Sequence, residues 1–130
     1  MSVAQTVFIV DDEPAVGKAV SRLLRACGYT AQVFGSAQEF MDSYKPGTSG
    51  CLVADFSMPG MNGLELQRWL ADSGLSLPIL FVTGLDDIPE AVRTMMMEGA
   101  LDILTKPVNP GELLEAVQKA LALNQEIAKS

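Results

Sequence analysis

The stretch Thr6-Val-Phe-Ile-Val-Asp-Asp-Glu-Pro14 decides how the rest of the chain is read. Its first five residues are β-branched or aromatic, and from Val7 to Val10 no polar side chain interrupts them. A strand with only one buried face would alternate; a continuous run fits a strand buried on both faces. Three carboxylates follow at once. Pro14 comes next, and its fixed φ suits the first turn of a helix. A buried strand, an acidic turn and a helix start make one strand–helix unit.

The same unit recurs outward along the chain. The first helix is expected to reach about Cys27, with Val16, Val20, Leu23 and Leu24 on one face and Gly28 as its stop. Thr30 to Phe34 reads as the second strand. Ser36 with Glu39 spells a capping box for a helix ending near Tyr44. Lys45-Pro-Gly-Thr-Ser-Gly50 is a loop by composition. Cys51 to Ala54 is the third strand, closed by Asp55. Met58-Pro-Gly-Met-Asn-Gly63 is a turn-rich loop before a helix carrying Leu64, Leu66, Trp69 and Leu70. Pro78 to Val82 is the fourth strand, and Pro89 starts a fourth helix that ends at Gly99. Leu101 to Leu104 is the fifth strand. Asn109 and Pro110 are cap and first-turn residue of a last helix with Leu113, Leu114, Val117 and Leu121. Strict strand–helix alternation predicts an α/β domain, a parallel sheet with helices on both faces. Residues 1–123 are read as that domain, and 124–130 as a helix extension or linker stub.

Composition removes several functions. With 130 residues and 48% apolar content, the chain can bury one real core. A net charge of −7, with nine scattered Lys and Arg, argues against direct nucleic-acid binding. The chain has no His, so no triad, His metal site or phosphohistidine can form within it. Cys27 and Cys51 form no CxxC pair, and both are expected to be buried reduced thiols. Met1 to Gln5 has no basic start, and no apolar run approaches the ~20 residues of a membrane span. The cytoplasm is the expected compartment.

In open parallel sheets, ligands bind beyond the carboxyl ends of the strands. Four of the five strand ends here carry chemistry: Asp11-Asp12-Glu13, Asp55, Thr83-Gly84 and Lys106-Pro107. Clustered carboxylates repel, and either a raised pKa or a bound cation relieves them. Mg²⁺ prefers oxygen ligands and often bridges carboxylates and a phosphate. Lys106 suits a phosphate oxygen, Thr83 offers a hydroxyl, and Asp55 is a candidate nucleophile toward phosphorus.

Taken together, Val10-Asp-Asp-Glu13, Ala54-Asp-Phe-Ser-Met-Pro-Gly60, Val82-Thr-Gly84 and Thr105-Lys-Pro107 resemble a response-regulator receiver domain over nearly the whole chain. Leu77-Pro-Ile-Leu-Phe-Val-Thr-Gly84 through Asp87-Ile-Pro-Glu-Ala-Val92 is most similar to the FixJ-type subgroup. The resemblance implies a single doubly wound domain of the flavodoxin-like, CheY-like kind, with strand order 2-1-3-4-5. It implies Asp55 as phosphoacceptor and Mg²⁺ held by Asp11, Asp12, Asp55 and the backbone carbonyl of Ser57. Thr83 would be the switch hydroxyl, Lys106 the phosphate-binding lysine, and Pro107 would follow a cis peptide. Ile103 stands where the family often has Tyr or Phe, so output is expected through loop and fourth-helix shifts instead of a swinging ring. The phosphodonor would be a sensor histidine kinase, and a homodimer would form through the fourth helix and fifth strand. The output would be transcription regulation by a DNA-binding domain outside this chain, or protein contact by a stand-alone regulator. Such a protein is no turnover enzyme; it undergoes only self-phosphorylation and autodephosphorylation at Asp55.

Singly, these residues have plainer readings. An acidic triple is usually a helix N-terminal charge cluster, Asp55 a turn residue, Lys106 a surface lysine, Thr83 a strand end. Jointly those readings are poor. Met95 and Met96 are read as core, Met97 as pointing outward, and Trp69 as an anchor of the third helix. A Mg²⁺-dependent phosphohydrolase would carry Asp-x-Asp after strand one, where this chain has Asp-Asp-Glu-Pro. A flavodoxin-type binder needs a Gly/Ser/Thr-rich phosphate loop there, and three carboxylates would repel the phosphate.

Overall fold

The computed structural model describes residues 5–45, 48–56, 60–61, 63–73, 77–84, 90, 94 and 102–129, the last five as backbone. In chain order it contains β1 (Gln5–Val10), α1 (Pro14–Ala26), β2 (Thr30–Phe34), α2 (Ala37–Ser43), β3 (Ser49–Asp55), α3 (Gly63–Asp72), β4 (Ile79–Thr83), β5 (Asp102–Thr105) and α4 (Pro110–Lys129). All strand pairings are parallel, in the order β2-β1-β3-β4-β5, as the resemblance implies.

The continuous apolar strands divide their side chains by period two. Val7, Ile9, Cys51, Val53, Leu80 and Val82 face Val20 and Leu24 of α1 and Leu113 and Val117 of α4. Phe8, Val10, Leu52, Ala54, Ile79 and Phe81 face Phe40 of α2 and Leu66 and Leu70 of α3. Both faces are therefore covered, which is why β1, β3 and β4 read as unbroken apolar runs. Trp69 packs against the second cluster, edge-on to Phe40 with ring centroids 6.4 Å apart, and anchors α3 as expected. Strand β2 lies at the sheet edge, where Val33 is 41% exposed.

The helix ends follow the caps. At the end of α1, Gly28 takes φ 91°. Tyr29 N–H then bonds Leu24 O at 3.0 Å and Gly28 N–H bonds Arg25 O at 3.0 Å, a Schellman pair. At α2, Ser36 Oγ accepts from Glu39 N–H at 3.1 Å. The Glu39 carboxylate, however, takes the N–H of Gly35 at 2.8 Å, one residue before the cap of the expected box. At α4, Asn109 Oδ1 accepts from Glu112 N–H at 3.0 Å, and the helix continues through the 124–129 extension.

Cys27 corrects an expectation: it is exposed, and only Cys51 is buried. Cys27 is the C-cap of α1, past the last residue that the helix turns toward the sheet. The helix expected from Pro89 to Gly99, with Met95, Met96 and Met97, lies outside the described residues except Glu90 and Thr94, both helical. Among the described residues, no helix is long and apolar enough to cross a membrane.

Candidate functional site

Parallel pairing sends the residues after β1, β3, β4 and β5 to one edge of the sheet. The chain crosses from β1 outward to β2, then back past β1 to β3. That reversal opens a cleft between the ends of β1 and β3. Asp11 and Asp12 stand on one side of it, and Asp55 on the other.

Asp11 extends the ladder by one bond, its N–H reaching Phe34 O at 3.1 Å. Its Oδ1 accepts from Glu13 N–H at 2.9 Å, an Asx turn that swings the chain from strand to helix. Asp55 is the last residue of β3 and pairs with Val82. Asp11 and Asp55 are each only 5% exposed, while Asp12 faces solvent. Thr83 ends β4, fully buried, and its carbonyl accepts from Lys106 N–H at 2.9 Å. That bond carries the β4–β5 ladder up to Lys106. The Lys106–Pro107 peptide is cis.

Lys106 gathers the acidic groups. Its Nζ lies 3.0 Å from Asp55 Oδ2, 3.0 Å from Glu13 Oε1 and 3.5 Å from Asp11 Oδ2. Burial works against the lysine's charge, but the hydrogen bonds to Asp55 and Glu13 and the fields of Asp55 and Asp11 outweigh it. The ammonium is held charged well above the ordinary lysine range. Asp11 moves up from the usual carboxylate range. Burial raises it more than the Glu13 N–H and Lys106 lower it.

One carboxylate oxygen from each of Asp11, Asp12 and Asp55 can be chosen so that all lie within 4.8 Å of one another. The set has neither nitrogen nor sulfur. Such hard oxygen donors fit Mg²⁺ or Ca²⁺ and not the thiolate and imidazole chemistry of zinc. Thr83 Oγ1 is buried without a hydrogen-bond partner. An orphaned buried hydroxyl costs free energy until something supplies a partner.

The structure thus brings together Asp11, Asp12, Asp55 and Lys106, and puts Thr83 at the neighbouring strand end. Ser57 lies outside the described residues. Ile103 sits opposite Phe81 in the β4–β5 register and packs, partly buried, against the second core cluster. Glu13 was legible only as the third member of an acidic triple. Its bond to Lys106 spans 93 residues of sequence, and no local pattern announces it.

The fold and the site together define an α/β domain built around an acidic, lysine-bridged pocket at its carboxyl edge. Residues 7–118 match the model of the response regulator receiver domain, and the chain belongs to that family, the receivers of two-component systems. It is 42% identical over 120 residues to response regulator protein TodT of Pseudomonas putida, covering 92% of this chain and 52% of that protein. It is 36% identical over 125 residues to transcriptional regulatory protein FixJ of Bradyrhizobium diazoefficiens, covering 95% of this chain and 60% of that one. The solved structure of response regulator StyR matches with a TM-score of 0.90 at 40% identity, over 98% of this chain and 64% of that chain. The chain therefore spans little more than half the length of these relatives.

Proposed function

We propose that this receiver domain accepts a phosphoryl group on Asp55 from a sensor histidine kinase, with Mg²⁺ held by Asp11, Asp12, Asp55 and the carbonyl of Ser57. The observation that carries this is the contact of Lys106 Nζ with Asp55 Oδ2 at 3.0 Å beside the three-carboxylate cluster. An Asp55 oxygen attacks phosphorus, a new P–O bond forms, and the donor leaves with the electron pair of its old bond to phosphorus. The donor histidine belongs to another protein, since this chain has none. Mg²⁺, when bound, neutralises charge on the transferring group. Lys106 supplies a second positive charge to a phosphoryl oxygen. Thr83 then gives its orphaned hydroxyl to another. Hydrolysis of the aspartyl phosphate resets the domain.

The output proposed is transcription regulation. The FixJ-named relative is a transcriptional regulatory protein, and this chain covers 60% of its length. Phosphorylation would favour a homodimer through the fourth helix expected from the sequence and β5.

The test is covalent. Incubation with acetyl phosphate and Mg²⁺ should add one phosphoryl mass to the wild type and none to Asp55→Asn. Equal labelling of both proteins, or of neither, would sink the assignment.

A further inference from the structure

We propose that Glu13 is a latch on Lys106: its carboxylate draws the ammonium away from a phosphoryl oxygen on Asp55, so the two compete for it and phosphorylation releases Glu13. The latch rests on the proposed function of Asp55.

An ammonium has three donors and no acceptor. Lys106 presents its donors to three carboxylates, at 3.0 Å to Asp55, 3.0 Å to Glu13 and 3.5 Å to Asp11. Two of these are hydrogen bonds, to Asp55 and Glu13, and the third is a longer ion pair, so a phosphoryl oxygen on Asp55 competes with Glu13 for the ammonium. Asp11 and Asp55 belong to the cluster whose oxygens lie within 4.8 Å of one another, and their position is fixed by β1 and β3. Glu13 is outside that cluster. Its side chain is 60% exposed, against 4% for Asp11 and 6% for Asp55. Water can solvate Glu13 as it leaves, whereas Asp11 would be stranded as a buried charge, and the charge of Asp55 passes to the phosphoryl group itself. Glu13 is the partner that yields at least cost.

The released side chain has somewhere to go. Glu13 is the N-cap residue of α1, yet its side chain makes no cap hydrogen bond there, and the first turn of α1 carries no acidic residue. A carboxylate freed from Lys106 gains from the positive end of that helix. The exchange moves no proton and breaks no covalent bond beyond those of the phosphoryl transfer itself. It makes Glu13 a positioning residue that acts through Lys106.

The experiment measures the affinity of beryllofluoride, an inert phosphoryl mimic, for the Mg²⁺-loaded full chain by titration calorimetry. Glu13→Gln keeps the shape and removes the charge. Releasing one exposed ion pair should tighten the mimic about two- to fivefold. In a Lys106→Met background the same substitution should change nothing, because there is no ammonium left to hold. Glu13→Asp keeps the charge but is one methylene too short to reach Nζ, and it should bind more tightly than wild type. Unchanged affinity in Glu13→Gln overturns the latch. So does equal tightening in the Lys106→Met background, or wild-type affinity in Glu13→Asp; both would mean bulk repulsion of the anion. Wild-type protein that acetyl phosphate fails to label at Asp55 overturns the proposed function and the latch together. Labelling with an indifferent Glu13 overturns the latch alone.

Discussion

Replacing Asp11 by Asn should stabilise the metal-free protein and reverse that advantage when Mg²⁺ is added. Asp11 feels Asp55 and Asp12 within 4.8 Å. At an effective dielectric near 20, each such repulsion is about 3.5 kcal/mol, and less for the exposed Asp12. Lys106, 3.5 Å away, returns about 4.7 kcal/mol on the same scale. The Lys106 attraction offsets much of the repulsion, and what remains adds to the cost of a buried charge, partly offset by the Glu13 N–H. Asparagine keeps an oxygen for that N–H and removes the charge. We expect a gain of about 1–2 kcal/mol at pH 7.5 in chelator, or about 4–8 °C in Tm for a domain of this size. The pH dependence has a fixed sign. The folded-state pKa of Asp11 lies above the ordinary 3.8, so the native state binds more protons and wild-type stability falls as pH rises through the interval between the two values. Below 3.8 the wild-type carboxyl is neutral in both states, and the advantage of the Asp11→Asn variant should vanish. With Mg²⁺ at a hundred times its Kd, the wild type gains about 2.7 kcal/mol by mass action. The variant, short of one ligand, gains less, and the order of stabilities inverts. Urea melts in chelator and in Mg²⁺ measure both arms. A folded Asp11→Asn protein no more stable than wild type in chelator would refute the electrostatic account.

Two further outcomes follow from the buried groups away from the site. Asn124 is 7% exposed, and its Oδ1 accepts from Gly50 N–H at 2.9 Å, from Gln5 Nε2 at 3.2 Å and from Ser49 Oγ. Asn124→Ala should cost about 1–3 kcal/mol in urea unfolding by leaving the Gly50 N–H unpaired, with labelling of Asp55 unchanged because these bonds tie the opposite ends of β1 and β3; a loss of labelling in the folded variant would contradict this. Burial pushes the Cys51 thiol up to about 12, while Cys27 is exposed. A thiol reagent at pH 8 should therefore take one equivalent from the native protein and two in urea, and two equivalents from native protein would show that the β3 core opens.

The fold was legible because its signals are local. Parallel strands covered on both faces must be apolar through their interiors, and β1, β3 and β4 are. Helix starts were legible from Pro14, Ser36 and Asn109, because capping chemistry acts within a few residues. The misreadings occurred where a distant or neighbouring partner decides. Gln5 joins β1 because it pairs with Ser49 and because its side chain reaches Leu121 O at 2.9 Å. Cys27 has apolar sequence neighbours, but the C-cap position turns it to solvent. The carboxylate of Glu39 has two N–H groups close by in sequence, and only the folded structure shows that it takes the one on Gly35.

The site was legible for a topological reason. Once five parallel strands are granted, their carboxyl ends must lie on one edge, and four of those ends carry Asp, Thr or Lys. Sequence order cannot say which carboxylates the lysine holds. Lys106 sits between the aspartate cluster and Glu13, and so it links Asp55 to the start of α1. Ile103, three residues earlier, is packed against the cluster of Phe81 and Phe40 on the α2–α3 face of the sheet. An aliphatic side chain there has no ring to carry a rotation outward. If the lysine changes partners when Asp55 is charged, the first group to move is Glu13. The motion then begins at the β1–α1 junction, across the cleft from the end of the sheet where an aromatic relay would have placed it.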